Sequence, residues 1–232
     1  MLKTAFDNSG QTLTRPSWAA LAGEFWEFAI YRPKCPSRET LPGGQGAPVL
    51  VIPAFLTNDS FTAPLRAFLN TCGFRAHGWG LGVNWGPTPG ILNQLSRRLS
   101  EIHDETGVPV NVIGISLGGL LARDLAHQTP ERIRHLLTIA APVRLPTATR
   151  LEPLFHALTP FYSRSMDLER VSAPLPVPWT AIYSKRDGIL AWESCVCSDA
   201  NGQCIAIDAP HLAMARNPET LKTVVTRLTS GN

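Results

Sequence analysis

Val110-Asn111-Val112-Ile113-Gly114-Ile115-Ser116-Leu117-Gly118-Gly119-Leu120 is the stretch on which the reading of this chain turns. Val110 to Ile113 has the apolar character of a buried strand, and Leu117 to Gln128 continues as an amphipathic helix. Between them stands Gly114-x-Ser116-x-Gly118. A Gly-x-Ser-x-Gly set between a strand and a helix is a nucleophile elbow. Its serine sits on a strained turn, and the flanking glycines let strand and helix pack closely. The turn holds the hydroxyl above the edge of a sheet, where a base and a substrate reach it. The pentapeptide alone is common; the strand before it and the helix after it make it specific here.

Outward from this point, strands and helices alternate. Pro48 to Pro53 is an apolar run of the kind that forms a parallel strand covered on both faces. A polar loop, Ala54 to Asp59, leads into a helix over Ser60 to Thr71, and Phe74 to Trp79 gives a short strand. Gly80 to Gly90 is a Gly/Pro/Trp loop. Ile91 to Glu105 carries Ile91, Leu92, Leu95, Leu99 and Ile102 on one helical stripe. Beyond the elbow, strands are expected at Ile133 to Ala140, Trp179 to Ser184 and Gln203 to Ile207, with a closing helix from Pro218 to Leu228. This alternation predicts an α/β fold, a mostly parallel six-stranded sheet flanked by helices on both faces, in a single domain over 48–232. Residues 144–178 join two strands as a short helical insertion. Residues 1–47 form an N-terminal segment with one helix, Ser17 to about Tyr31, placing Trp18, Leu21, Phe25, Phe28 and Ala29 on one face. That helix either packs across the domain or, because Trp26 widens its aromatic face, lies at an interface or over the site as a lid.

Composition narrows the function. The chain has 232 residues with 44% hydrophobic and 17% charged content, enough for one full core and too apolar for disorder. A formal charge of +3, without a basic-aromatic cluster, argues against a nucleic-acid surface. No apolar run approaches the ~20 residues of a membrane helix, and no signal peptide is visible, so a cytoplasmic protein is expected. Of the five cysteines, Cys195, Cys197 and Cys204 crowd together as free thiols, as a Cys204 disulfide with one of the other two, or as part of a metal corner. A zinc site wants four ligands, and a fourth is missing. A disulfide would suit a periplasmic or secreted protein instead.

A serine hydroxyl is a weak nucleophile at neutral pH and needs a base, itself oriented by an acid, in the chain order Ser, Asp/Glu, His. Of the six histidines, His211 alone falls after the last strand and before the final helix. Asp187, in the turn-like Lys185-Arg186-Asp187-Gly188 after a strand, leads as the acid. Glu193 and Asp208 are the other candidates, and Asp208 lies too close to His211 in sequence to orient it well. The oxyanion of an acyl-transfer intermediate needs backbone N–H donors. Leu117 supplies one, and Phe55 is expected to supply the other, with Ala54 and Leu56 as neighbouring possibilities. No cofactor or metal is called for.

With these residues assembled, the chain from roughly Pro48 to Leu228 resembles the α/β-hydrolases, and among them the small bacterial esterases and lipases. Ile113 to Leu120, Tyr183 to Ile189 and Pro210-His211-Leu212 carry the likeness, as do Gly78 to Gly86 and Pro53-Ala54-Phe55. The resemblance implies Ser116, Asp187 and His211 as a triad, with Phe55 and Leu117 as oxyanion donors. Ala54 stands where related sequences carry glycine. It implies a carboxylic-ester hydrolase acting on a small-molecule ester or lipid, with transient contact to a lipid interface. A thioesterase, amidase or acyltransferase shares this chemistry, and a non-catalytic ligand-binding homologue is the alternative from another class. Phe155, Leu158, Phe161 and Tyr162, on one stripe of the insertion, either line an acyl groove or pack as an ordinary crossover helix.

Overall fold

The computed structural model describes residues 12–145, 147–158, 166–196 and 200–230, with residues 155, 156 and 158 described by their backbone. Among them, six strands form one sheet: β1 (Pro48–Ile52), β2 (Arg75–Gly78), β3 (Val110–Ile115), β4 (Ile133–Ile139), β5 (Trp179–Tyr183) and β6 (Gly202–Ala206). The spatial order is β2-β1-β3-β4-β5-β6, and every neighbouring pair is parallel. The expected strands are thus all present, each within two residues of its expected ends.

β1 and β3 are buried along their whole length, which is why both read as continuous apolar runs rather than as alternating ones. Val49 and Val51 enter one core, with Leu65, Phe68 and Leu69 of α2 (Asp59–Thr71) and Val224, Val225 and Leu228 of α3 (Pro218–Thr229). Leu50 and Ile52 point to the opposite core. There they meet Leu92, Leu95 and Leu99 of α4 (Ile91–Thr106) and Leu121 and Leu125 of α5 (Leu117–Gln128). Helices therefore cover both faces.

The strand order reverses between β1 and β3. The chain runs from β1 to β2 on one side, then crosses to β3 on the other. In an open parallel sheet the crevice at such a point, beyond the carboxyl ends of the strands, is where ligands bind. The loop after β1 and the elbow after β3 both open into it.

Among its described residues the insertion holds two short helices where one was expected: α6 (Glu152–Leu158) and α7 (Leu168–Ser172). Arg123 of α5, 1% exposed, anchors the end of α7 by donating from Nε to the Val171 carbonyl at 2.6 Å and from Nη2 to that of Ala173 at 2.8 Å. Of the proposed acyl-groove stripe, Phe161 and Tyr162 lie outside the described residues, as do the side chains of Phe155 and Leu158. The insertion also begins by pairing with the β5 loop: Thr149 and Leu190 form an antiparallel bridge, and the Ala191 amide donates to the Ala148 carbonyl at 2.9 Å.

The N-terminal helix α8 (Trp18–Ile30) is capped by Ser17, whose Oγ accepts from the Ala20 amide at 3.0 Å. It lies against the 3₁₀ turn His211–Arg216. Its orientation corrects the sequence reading. Trp18, Phe25, Trp26 and Ile30 are 59–69% exposed, and the one buried residue is Glu24. Leu21 and Phe28 flank Glu24 on the inner face: Leu21 packs beside Ile189 and Leu190, and Phe28 stacks on Phe61 of α2. The outer face, with Ala19, Ala22 and Ala29 between the large residues, is apolar, and Glu27 at its edge pairs with Arg186 at 2.9 Å. No helix among the described residues is long and apolar enough to cross a membrane.

Candidate active site

Ser116 has φ 51° and ψ −120°, a left-handed backbone at a non-glycine residue. Such strain persists only where its surroundings over-determine it, and here they do. A Cβ on Gly114 would come within 2.5 Å of the Gly118 carbonyl oxygen, and one on Gly118 within 2.5 Å of the Pro53 carbonyl oxygen. Side chains at either position would push α5 off β3 and off the end of β1. The Ser116 amide donates to the Ile139 carbonyl at 2.8 Å, tying the turn to β4.

The three groups picked out from the sequence meet at this edge. The Ser116 Oγ lies 3.1 Å from His211 Nε2, and His211 Nδ1 lies 2.6 Å from Asp187 Oδ2. Both the His211 and the Asp187 side chains are almost wholly buried, at 4% and 1% exposure. A carboxylate only accepts, so the proton on the ring sits at Nδ1, and Nε2 is left to accept from the serine hydroxyl. The other carboxylate oxygen, Asp187 Oδ1, accepts from the Ile189 amide at 2.9 Å and the Leu190 amide at 2.8 Å. These two bonds fix the carboxylate plane. Burial pulls the His211 pKa down, but the charge and hydrogen bond of Asp187, with a further contribution from Glu24, outweigh it and leave the pKa raised.

The competing acids stand apart. Asp208 has a side chain 77% exposed and pairs with Arg186 at 3.4 Å. Glu193 sits in the 3₁₀ turn Trp192–Cys195. Of the other histidines, His103 lies 3.3 Å from Asp104 on the surface of α4, and His135 in β4 lies 3.0 Å from Thr180 Oγ1 and is pushed down to about 4, by burial first and then by Arg227 and Arg134. Burial lowers the pKa of His77 and His127 as well.

Leu117 opens α5, so its amide is one of the first helical N–H groups, which have no carbonyl of their own helix to meet. After β1 the chain turns at Ala54 to Thr57, where the Thr57 amide donates to the Ala54 carbonyl at 3.1 Å. Leu56, one of the neighbouring possibilities for the second donor, is excluded because its amide already donates to the Asn84 carbonyl at 2.8 Å. The positive φ of this turn falls on Leu56, at 58°, and not on Ala54. Alanine in place of glycine therefore costs no backbone strain, and its methyl packs against the core. Asn84, fully buried, holds the turn from the β2 side by donating from Nδ2 to the Pro53 carbonyl at 2.7 Å.

Compared with solved structures, the chain is similar to the lipolytic enzymes LipS and LipT of metagenomic origin (TM-score 0.62, 14% identity, 82% of this chain and 96% of that one). It is similar also to a monoacylglycerol lipase of Paleococcus ferrophilus (TM-score 0.60, 16% identity, 83% and 97%). A third is the thioesterase domain of the curacin biosynthetic pathway (TM-score 0.55, 13% identity, 80% and 92%). The protein has the α/β-hydrolase fold. No protein-family model matches the chain, and neither does the sequence of any curated protein.

Within this α/β-hydrolase fold two supports of the site escape a sequence reading. Ser184, 1% exposed, accepts through Oγ from the Arg186 amide at 3.0 Å and the Ala209 amide at 3.4 Å, linking the Asp187 turn to the segment before His211. Glu24 of α8 does the same from outside. Its carboxylate accepts from the amides of Gly188, His211 and Leu212 at 2.8, 2.8 and 3.0 Å. The sequence signal for Glu24 is a single acidic residue between Leu21 and Phe28 on one helical stripe; the signal for backbone partners is nil. Cys35, which is exposed, and Cys72 and Cys195, which are buried, are unbridged, so the Cys195–Cys204 disulfide is not formed. Cys197 lies outside the described residues.

Proposed function

We propose that this chain is a serine hydrolase that cleaves carboxylic esters through an acyl-enzyme on Ser116. The observation that carries this reading is the hydrogen-bonded series Ser116–His211–Asp187, at 3.1 and 2.6 Å, on the carboxyl edge of the sheet. His211 Nε2 takes the serine proton as Oγ attacks the ester carbonyl, and Asp187 stabilises the imidazolium so formed. The amides of Leu117 and Phe55 receive the oxyanion. His211 then protonates the departing alcohol, and a water, deprotonated by the same ring, releases the acid. Hydrolysis of p-nitrophenyl esters, lost by several orders of magnitude in Ser116→Ala with the fold retained, is the expected result. A loss of only ~10-fold, about 1.4 kcal/mol, would mean that Ser116 is not the nucleophile. Turnover of thioesters or amides in preference to esters would assign the same triad to another leaving group.

One surface feature favours a substrate presented by lipid. The exposed residues of α8 are aromatic, aliphatic or alanine, Glu27 at their edge is paired with Arg186, and exposed Arg32 and Lys34 follow the helix. An apolar helical face edged by cations suits an anionic lipid–water interface. Co-sedimentation with anionic phospholipid vesicles, lost in Phe25→Ser/Trp26→Ser while turnover of a soluble ester persists, is expected. Equal binding by this variant would remove the lipid contact from α8.

A further inference from the structure

Glu24 is the one buried residue of α8, 3% exposed, and its three recorded hydrogen bonds all run to the two loops that carry Asp187 and His211. Oε1 accepts from Gly188 and from His211, and Oε2 accepts from Leu212. A single carboxylate thus holds the residue after the acid and the amide of the base itself. The seat is tight: a Cβ on Gly188 would lie 2.6 Å from the Ala20 carbonyl oxygen and 2.8 Å from Glu24 Cγ. The helix rests directly on the acid loop, with no room for a side chain between them.

A buried carboxylate is a costly way to attach a helix, because the charge must leave water, and an apolar residue of similar size attaches one at least as well. The donors Glu24 meets are not interchangeable surface amides. They are fixed points of the loops whose separation sets the distance from His211 to both Asp187 and Ser116.

We infer that Glu24 is a positioning residue, which ties the acid loop and the base loop to each other through α8 and so sets where the His211 ring stands. The inference rests on the proposed function for its effect on turnover, but the loop geometry does not. The groups facing His211 are Asp187 from the β5 loop, Glu24 from α8 and Ser116 from the elbow. Glu24 therefore acts on the ring in two ways, by geometry and by adding its negative charge to that of Asp187.

Glu24→Gln is the test, because it keeps the shape while turning one acceptor into an NH₂ that faces an amide donor. The expected result is a fall in kcat of about 30-fold or more (about 2 kcal/mol) with KM changed by less than about threefold. The His211 titration, followed by NMR of the imidazole, should move to lower pH. Leu21→Ala, which removes a neighbouring contact of the same helix, should lower Tm while leaving kcat and the titration as they are. Glu24→Asp keeps the charge at shorter reach and should recover the titration more than it recovers kcat. If Glu24→Gln lowers Tm but leaves kcat and the His211 titration unchanged, Glu24 merely attaches the helix and the inference fails. It fails equally if neither Glu24 variant folds while Leu21→Ala does. The NMR titration needs no turnover, so an inactive wild-type protein would overturn the proposed function and still leave Glu24 testable.

Discussion

Replacing Asp187 by asparagine exchanges one atom and should disable the site through the histidine tautomer. The carboxylate is held in a fixed plane, with Oδ1 accepting from the Ile189 and Leu190 amides and Oδ2 facing His211 Nδ1 at 2.6 Å. An asparagine amide has two ways to sit there. Keeping its oxygen on the two backbone amides turns its NH₂ toward Nδ1, which must then give up its proton and accept. The ring proton moves to Nε2, and Nε2 can no longer take a proton from Ser116. The flipped amide restores the useful tautomer but sets NH₂ against two buried N–H donors. Leaving those donors without an acceptor costs about 1–3 kcal/mol each, so the useful arrangement lies about 2–6 kcal/mol above the useless one. At about 1.4 kcal/mol per decade, kcat should fall by roughly 30- to 20,000-fold, a range that includes the ~10⁴ known for the same change in a serine-protease triad. The assay is steady-state hydrolysis of a p-nitrophenyl ester near pH 8, with circular dichroism to show that the fold persists. A loss below ~10-fold, or a comparable loss in Asp208→Asn, would refute this assignment of the acid.

Two further outcomes follow from the site. His211 must be neutral to accept the serine proton, and its pKa is raised above the ordinary 6.5 because Asp187 and Glu24 together outweigh burial; kcat/KM should therefore fall as the pH drops through a value above 6.5, and an acid limb below 6.5 would contradict this. Asn84→Ala should leave the Pro53 carbonyl and the Gly86 amide, which donates to Asn84 Oδ1 at 3.0 Å, without partners, at about 2–6 kcal/mol in all; calorimetry should show a Tm lower by about 4–24 °C, and an unchanged Tm would mean that the loop after β1 holds itself.

Much of this fold is legible in the sequence because β1 and β3 are covered on both faces and so read as unbroken apolar runs. The elbow is legible because strand, glycines and helix must come in that order for Ser116 to be displayed. Asp187 is separable from Asp208 by chain geometry alone, and the structure puts Asp208 out in solvent on Arg186. What stays hidden is held by backbone. The amides that receive Glu24, and the Asn84 carbonyl that takes the Leu56 amide, have no side-chain signature. The N-terminal helix misleads for a different reason. It is apolar nearly all round, so its period has no single solution, and the stripe through Trp18 and Phe25 faces solvent while the stripe bearing Glu24 faces the site.

The central claim is that Ser116 is a nucleophile activated by His211, and covalent capture tests it most directly. After treatment with an alkyl p-nitrophenyl phosphonate, intact-mass and peptide analysis should find one adduct, on the peptide containing Ser116. Ser116→Ala should take up none, and His211→Ala should label slower by several orders of magnitude. An adduct on another residue, or labelling of His211→Ala at the wild-type rate, would contradict the account.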